Sequence, residues 1–280
     1  MAISNFIPTI WTETLNRELT NTFIAVNHCC RDYEGEIKGK GSTVKICEVG
    51  PVTLKNYTKN SEISAPDTLS DSAITLTIDQ SKYFNFQIDD IDKVQCSPKL
   101  MEGALQRASE AIANEADRYV LSLTSQADVT LRNDDTSLEP AYETILKARQ
   151  ILYENNVTDG TEVFLEVPPV VASQILREKI LVPTNENSFE TGYLGSVFGC
   201  KIYVTNNLPK SNITGESAML YSCLLRTRRA ISFVDQISEI EAYRPEKHFA
   251  DAVKGLHLYG AKVMYPKEMV KLLFKFPTAA

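Results

Sequence analysis

Two segments in the first third of the chain alternate hydrophobic and polar residues over an unusual length. The alternating hydrophobic positions of the first segment, 42–57, are Val44, Ile46, Val52 and Leu54. Those of the second segment, 72–88, are Ile74, Leu76, Ile78, Phe84, Phe86 and Ile88. Such alternation predicts strands with one buried face and one solvated face. The polar residues 59–67 between the segments are typical of the tip of a hairpin.

The predicted hairpin is long compared with the molecule that carries it. At about 3.3 Å per residue, each arm of ~15 residues would reach roughly 50 Å. A compact domain of this chain length has a radius of gyration of about 19 Å. The hairpin is therefore expected to project beyond its own core, where its hydrophobic face needs a neighbour to cover it. The first hypothesis for this sequence is assembly rather than catalysis.

Helical periodicity surrounds the hairpin on both sides. A first helix is predicted near the N-terminus from hydrophobic residues at Trp11, Leu15, Leu19, Phe23 and Val26. A second helix is predicted to begin at Pro98, with Ser97 as its cap, and to span roughly 40 Å. Its hydrophobic stripe consists of Leu105, Ala108, Ile112, Ala116, Tyr119 and Leu123. Its opposite side carries Glu102, Arg107, Glu110, Asn114, Asp117 and Arg118 and is expected to be solvated or to face another subunit.

The remainder of the chain mixes short strand-like and helical patterns. From about 125 to 235 they alternate, with buried strands predicted at 163–167 and 201–205. A C-terminal block, 251–275, shows strand alternation followed by a last hydrophobic stretch near 269–274. The pattern as a whole predicts an α+β fold.

Composition excludes several classes of function. The formal net charge of −7 argues against tight general binding of nucleic acid. Arg226, Arg228 and Arg229 are interpreted as a surface salt-bridge cluster rather than a phosphate clamp. There is no hydrophobic run of about 18 residues and no basic, hydrophobic leader at the N-terminus, so we expect a soluble product of the cytosol. The six cysteines are expected to be reduced and mostly buried.

The search for chemistry finds near misses. The glycine-rich residues 35–42 lack the spacing of a phosphate-binding loop, and Asp89, Asp90 and Asp92 lack the glycine and distal glutamate of a calcium loop. The 28–30 sequence His-Cys-Cys has no second half-site for zinc. Only a cysteine–histidine pair cannot be dismissed by spacing. We therefore predict no catalytic, cofactor-binding or metal-binding residues, and no enzyme activity.

Several stretches in this order resemble the major capsid proteins of tailed bacteriophages with the Hong Kong 97-type fold. The resemblance covers residues from about 5 to 267. It is carried by 6–11 (FIPTIW), 31–36 (RDYEGE), 84–92 (FNFQIDDID), 192–195 (GYLG) through 204–208 (VTNNL), and 242–256 (AYRPEKHFADAVKGL) with 259–263 (YGAKV).

The resemblance implies an architecture. It implies an N-terminal arm at 1–41 and an extended hairpin loop at 42–92. It implies a peripheral domain formed by 93–125, which contains the spine helix, together with 236–280. It implies an axial domain at 126–235.

The resemblance also implies a function. Such proteins form icosahedral shells of hexamers and pentamers around double-stranded DNA, so the expected location is the virion capsid, after synthesis in the cytoplasm of a bacterial host. The expected partners are other copies of the chain, a separate scaffolding protein, a portal, and packaged DNA held by non-specific contacts, with no membrane. The resemblance leaves one alternative open, the shell of a cellular encapsulin-type nanocompartment.

On this reading the hairpin tip lies over a neighbouring subunit. The expected inter-subunit contacts are Lys55, Tyr57, Lys59, Ile63 and Leu69. Some relatives also join subunits by lysine–asparagine isopeptide bonds, for which Lys55 or Lys59 with Asn206 or Asn207 are candidates here, although solvated lysines are the expectation.

Overall fold

The fold is seen in a computed structural model. The structure describes residues 22–33, 43–49, 54, 56–57, 59, 62, 71–89, 100–134, 140–157, 161–178, 192–213, 218–247 and 249–277. Within these residues it contains three helices of more than two turns and three β-sheets. The predicted α+β class is confirmed.

The base of the predicted hairpin is present. Strand β1 (Thr43–Val49) pairs antiparallel with β2 (Asp71–Thr77), in a register that places Thr43 opposite Thr77 and Val49 opposite Asp71. Val44 and Leu76 are buried on one face, as the alternation predicts.

The second arm of the hairpin is shorter than predicted. The chain leaves the hairpin at Ile78 and begins a separate strand, β3 (Gln80–Asp89), which pairs with a C-terminal strand instead. At this point the backbone of Thr77 passes close to Gly260. The close approach requires a glycine, because a Cβ on Gly260 would lie 2.4 Å from the backbone oxygen of Thr77. The alternation of hydrophobic and polar residues continues unchanged through Ile78. The periodicity therefore gives no indication that the chain moves from one sheet to another there.

Strand β3 lies at one end of a three-stranded antiparallel sheet. The other members are β10 (Ile231–Tyr243) and β11 (Ala250–Val263), in the order β10-β11-β3. Helix α1 (Leu100–Ser122), continued by a 3-10 turn at Leu123–Gln126, packs on this sheet. Ile112 and Ala116 of the predicted hydrophobic stripe are buried, and Glu110 is exposed.

A seven-stranded mixed sheet forms the second part of the core. Its strands in spatial order are β4 (Val129–Asn133), β12 (Met269–Pro277), β9 (Ala218–Thr227), β5 (Val163–Val167), β7 (Cys200–Val204) and β6 (Tyr193–Val197), with β8 (Lys210–Asn212) also paired to β9. Helices α2 (Ala141–Glu154) and α3 (Pro169–Arg177) bury their hydrophobic faces against it. The buried strand predicted at 163–167 is confirmed, since all five of its residues are buried.

The last strand lies in an unexpected place. The sequence-based division put 236–280 with the peripheral part of the molecule, but β12 lies inside the seven-stranded sheet. It runs parallel to β4 and antiparallel to β9. Its hydrophobic run is consistent with any buried strand, so only its pairing with two distant segments of the chain, β4 and β9, decides its sheet.

The first predicted helix falls mostly outside the described residues. Within them, the chain forms a short 3-10 turn at Val26–His28, and Phe23 and Val26 are buried in the core beside helix α1. These residues join the described part of the N-terminal segment to the rest of the fold.

Candidate assembly interface

The distal part of the hairpin presents hydrophobic side chains to solvent. Pairing of β1 with β2 ends at Val49 and Asp71, and beyond it Leu54 is 94% exposed and Tyr57 is 71% exposed. Lys59 is exposed as well. These side chains contribute little hydrophobic burial to their own subunit, so they are available to a partner that covers the distal hairpin.

The five contact residues predicted from the sequence are only partly described. The structure places Tyr57 and Lys59 on the exposed distal hairpin. Lys55, Ile63 and Leu69 lie outside the described residues. The two asparagines considered for cross-linking have surface partners: the Nζ atom of Lys210 donates to Oδ1 of Asn206 over 2.8 Å, and Nδ2 of Asn207 donates to Oδ1 of Asn114 over 3.0 Å.

The base of the hairpin is fixed to its own subunit. Its buried side chains pack with Val234, Leu258 and Met264 of the three-stranded sheet and the loop that follows it; the hairpin residues in this cluster are Val44, Ile46, Leu76 and Ile78. The hairpin is thus anchored at one end, and its distal end is free of such packing where the structure describes it.

The outer face of the three-stranded sheet has a second exposed hydrophobic site. Tyr83 of β3 and Leu256 of β11 are directly opposite each other, and Tyr83 is 80% exposed. They line a groove of about 350 Å³ together with Asn85, Glu241, Lys254 and Gly255. A salt bridge of 2.7 Å between Lys254 and Glu241 borders the groove. The result is an apolar strip with a polar border, a pattern common at protein–protein contacts.

A buried charge cluster holds the N-terminal segment against the core. Arg226 of β9 is fully buried and donates to both carboxylate oxygens of Glu166 in β5, at 2.7 and 3.1 Å. It also donates to the backbone oxygens of Ala25 and His28, at 2.7 and 3.0 Å, and to Sγ of Cys29 at 3.3 Å. All five N–H groups of the guanidinium therefore have acceptors.

The predicted surface cluster of arginines is therefore wrong for Arg226. Only Arg228 and Arg229 are exposed, and Arg229 forms a salt bridge of 2.7 Å with Glu268. The sequence could not separate the three arginines, because the buried partner of Arg226 lies 60 residues away in another strand.

The prediction that Asp117 lies on the solvated side of helix α1 is also wrong. Asp117 is 1% exposed and accepts hydrogen bonds of 3.0 Å from the backbone N–H groups of Ile24 and Val26. Burial raises the pKa of Asp117 to about 6, against the hydrogen bonds from those two N–H groups. One acidic residue among several on a helix gives no sequence signal of such a role.

Glu166 remains ionised for a different reason. Burial acts to raise its pKa, but the charge of Arg226 and the hydrogen bonds from His28 and Arg226 hold the pKa of the Glu166 carboxyl below its usual range. Nδ1 of His28 lies 3.1 Å from Oε1 of Glu166, and the imidazole ring stacks on Phe164 at 4.2 Å. Four parts of the chain thus meet at one point: the N-terminal segment, helix α1, β5 and β9.

The three buried thiols, those of Cys29, Cys200 and Cys223, are unsuited to nucleophilic chemistry. Burial raises the pKa of Cys29 to about 11 and that of Cys200 to about 11, and Cys223 is fully buried. A thiol with such a pKa is protonated at neutral pH and reacts slowly. The part of the chain that the structure describes has no group of three or more histidine, cysteine or acidic side chains placed to hold a metal ion. The glycine-rich residues 35–42 lie outside it.

None of the described helices combines the length and the hydropathy needed to cross a membrane.

Comparison with known proteins identifies the fold. No protein-family model and no curated protein sequence matches the chain. Among solved structures, one from Mycobacterium phage Che8 is 26% identical in sequence, with a TM-score of 0.68 over 89% of this chain and 90% of that one. The capsid structure of cyanophage P-SCSP1u is 14% identical, with a TM-score of 0.66 over 88% of this chain and 86% of that one. The chain has the Hong Kong 97-type capsid fold.

The structure of a virus-like particle is also similar to the chain. A virus-like particle from Pyrococcus furiosus is 12% identical, with a TM-score of 0.54 over 93% of this chain and 96% of that one. The exposed hairpin and the groove at Tyr83 therefore lie on a fold whose similar structures come from capsids and a virus-like particle.

Proposed function

We propose that this protein is the structural subunit of an icosahedral phage capsid, in which hexamers and pentamers of the chain enclose double-stranded DNA. The observation that carries the proposal is the hairpin, which is fixed at its base by the cluster around Leu258 and exposes Leu54 and Tyr57 beyond it. A monomer gains nothing from this arrangement, whereas a shell covers the distal hairpin with a neighbour. The capsid fold supports the same conclusion.

In this shell the distal hairpin is an inter-subunit contact. Lys55, Tyr57, Lys59, Ile63 and Leu69 contact a neighbouring subunit. The same contact between copies repeats around each capsomer. A small gain in binding free energy per subunit is therefore multiplied in the particle.

The architecture divides along its two larger sheets. The N-terminal arm is 1–41, and the extended loop is the part of 42–92 that precedes β3. The spine helix and the sheet β10-β11-β3 form the peripheral domain. The axial domain consists of 126–230 together with β12, because that strand completes the seven-stranded sheet and β10 begins at Ile231 in the other sheet.

The proposal includes partners beyond the chain itself. A separate scaffolding protein directs assembly, a portal occupies one vertex, and DNA is held through non-specific contacts, since the net charge of −7 disfavours a strong general attraction to phosphates. The protein is made in the cytoplasm of a bacterial host and ends in the virion. It has no role as an enzyme.

The second candidate is the shell of an encapsulin-type nanocompartment. The specific observation in its favour is the similarity to the Pyrococcus furiosus virus-like particle, which spans nearly the full length of both chains. The two functions differ in what the particle contains. A phage capsid holds DNA when its packaging partners are present, whereas a nanocompartment holds a protein cargo.

Expression of the chain alone and with candidate scaffolding proteins tests the proposal. We expect sedimentation of species far heavier than the 31.3 kDa chain, and closed particles by negative-stain electron microscopy. A protein that stays monomeric under all of these conditions would contradict both shell functions. Particles purified from the natural source then distinguish the two by their content: nuclease-protected DNA favours the phage capsid, and a co-purifying enzyme favours the nanocompartment.

A further inference from the structure

The N-terminal segment packs with both of the larger sheets. Its buried hydrophobic side chains belong to one cluster of the core; they are Phe23, Ala25, Val26 and Cys29. The same cluster contains Leu224 of β9, in the seven-stranded sheet, and Tyr259 of β11, in the three-stranded sheet. Residues 23–31 therefore connect the two sheets, and we call them the clasp segment.

Two charged side chains form hydrogen bonds with the backbone of the clasp segment. On one side, both carboxylate oxygens of Asp117 in helix α1 accept from N–H groups, those of Ile24 and Val26, over 3.0 Å. On the other side, Arg226 of β9 donates to two backbone oxygens of the segment, over 2.7 and 3.0 Å. Helix α1 packs on the three-stranded sheet and β9 belongs to the seven-stranded sheet, so these two side chains attach the segment to both parts of the fold.

Regular strand pairing contributes little to holding the clasp segment in the part of the chain that the structure describes. There the segment has a β-bridge between Cys30 and Ser232 of β10, and Arg31 at its end forms a salt bridge of 2.9 Å with Asp235. Strand β9, by contrast, is paired with β12 over residues 218–226. A segment with few backbone hydrogen bonds opens at a lower free energy than a strand inside a sheet. We therefore expect the clasp segment to open while both sheets stay intact.

Asp117 makes the closed segment sensitive to pH. The titratable and charged groups around it come from the three other elements at this junction; they are His28 and Cys29 of the clasp segment, Glu166 of β5 and Arg226 of β9. Burial raises the pKa of Asp117 to about 6, and the charge of Glu166 acts in the same direction. Opening the segment exposes the carboxyl to water, so its pKa returns toward the ordinary value of 3.8. Between these pH values the closed state binds a proton that the open state releases.

We propose that residues 23–31 are a proton-linked clasp between the two larger sheets, which is most stable when Asp117 is protonated and opens more readily when Asp117 is ionised. An ionised Asp117 is a second negative charge buried near Glu166, and opening relieves this cost by returning the carboxylate to water. The stabilisation of the closed clasp by the proton is complete below about pH 4 and is lost as the pH rises through about 6.

Opening of the clasp changes the link between the two parts of the subunit. It removes the connection through Asp117 and Arg226 and leaves the strand pairs within both sheets unbroken. The device belongs to the single subunit, so it stands whether or not the chain forms a shell.

Hydrogen–deuterium exchange of the unassembled subunit tests whether the clasp segment opens by itself. Peptides that cover 23–31 are compared with peptides that cover β5, and each rate is divided by the rate of an unstructured peptide at the same pH. We expect the protection of 23–31 to be at least about tenfold lower than that of β5, because the segment opens without global unfolding. Equal protection of the two regions would overturn the proposal.

The same measurement at pH 5 and pH 8 tests the proton link. A shift in the pKa of Asp117 from 3.8 to about 6 makes the opening equilibrium constant about tenfold larger at pH 8, so the protection of 23–31 should fall by this factor. The fall should be about tenfold smaller in Asp117→Asn, because the pH dependence from His28 and Glu166 is common to both proteins. It should be unchanged in Glu110→Gln, the same kind of change at an exposed position of helix α1. Equal falls in the wild type and Asp117→Asn would overturn the proton link.

Thiol labelling gives a second readout that needs no variant of Asp117. Cys29 lies in the clasp segment and Cys223 lies in β9, and both are fully buried. A maleimide added to the native subunit should modify Cys29 at least about tenfold faster than Cys223, because Cys29 becomes accessible when the segment opens, whereas Cys223 requires opening of the sheet. Modification of the two cysteines at equal rates would overturn the separate opening of the clasp segment.

Discussion

Arg226 and Glu166 face each other across neighbouring strands, with Nη2 of the arginine 2.7 Å from Oε1 of the glutamate and no solvent exposure on either side chain. This pair lies where the seven-stranded sheet, helix α1 and the N-terminal segment meet. Its importance lies in geometry: besides pairing with Glu166, Arg226 donates to the backbone oxygens of Ala25 and His28 and so joins the N-terminal segment to the sheet.

Removing the side chain of Arg226 should therefore destabilise the folded subunit. Arg226→Met leaves the Glu166 carboxylate buried without its counter-charge, and we expect the free energy of unfolding to fall by about 3–5 kcal/mol in urea denaturation of the unassembled subunit. Arg228→Met, at an exposed neighbour, should change it by less than about 0.5 kcal/mol. The double variant Arg226→Met with Glu166→Met should recover part of the loss. Equal stability of the two single variants would contradict the burial of this pair.

Asp117 should make stability depend on pH in an unusual direction. Its pKa of about 6 in the fold lies above the ordinary value of 3.8, so the folded state binds the extra proton between these values. The stabilisation linked to this proton is complete below about pH 4 and is lost as the pH rises through about 6. Wild type should therefore lose about 3 kcal/mol relative to Asp117→Asn between pH 4 and pH 7.

The measurement is the difference in unfolding free energy between the two proteins at each pH. Glu166 titrates in the opposite sense, since its pKa is held below the usual range, but it is present in both proteins and so cancels in the difference. A difference that does not change between pH 4 and pH 7 would mean that Asp117 is solvated.

Alanine substitutions at two glycines test whether β2 of the hairpin passes close to β11 of the three-stranded sheet. Gly260→Ala would bring a Cβ to 2.4 Å from the backbone oxygen of Thr77, so we expect a loss of about 1–3 kcal/mol of stability and fewer particles. Gly103→Ala, in helix α1 where the new Cβ would meet nothing within 4 Å apart from its own helix backbone, should stabilise the subunit by about 0.5–1 kcal/mol. Thermal unfolding of both variants measures the contrast, and a neutral Gly260→Ala would show that β2 does not cross at this point.

A change to the hairpin tip can distinguish an effect on folding from an effect on assembly. Replacing 56–69 with a short glycine–serine turn should leave the unfolding midpoint of the free subunit nearly unchanged, because the fixed part of the hairpin ends before these residues. Particle yield by electron microscopy should fall sharply, since every subunit loses a contact. A large drop in the midpoint would instead place the tip within the core of its own subunit.

Local patterns predicted local structure well. The alternation at Val44 and Leu76, the burial of 163–167 and the stripe through Ile112 all follow from side-chain periodicity, which depends only on neighbouring residues. The exposed tip at Tyr57 also followed from a simple comparison of strand length with domain size.

Long-range pairing was not predictable in the same way. Nothing in the sequence near Ile78 indicates that the next strand joins β11, and nothing near Met269 indicates that β12 lies between β4 and β9. The buried roles of Arg226 and Asp117 depend on partners at least 60 residues away. Charged residues are assigned to the surface by default, because buried charges are rare unless they are paired.

The position of β12 also governs when the seven-stranded sheet can be completed during synthesis. Strand β4 has β12 as its only sheet partner among the described strands, although the two are separated by more than a hundred residues. During synthesis, β4 therefore has no strand partner in this sheet until β12 has been synthesised and has folded beside it. Truncated translation products that end before β12 have a gap in place of a sheet strand. A chain that ends before β12 also lacks Val270, Leu272 and Phe274 of the hydrophobic core, so a stable subunit requires synthesis of this last strand.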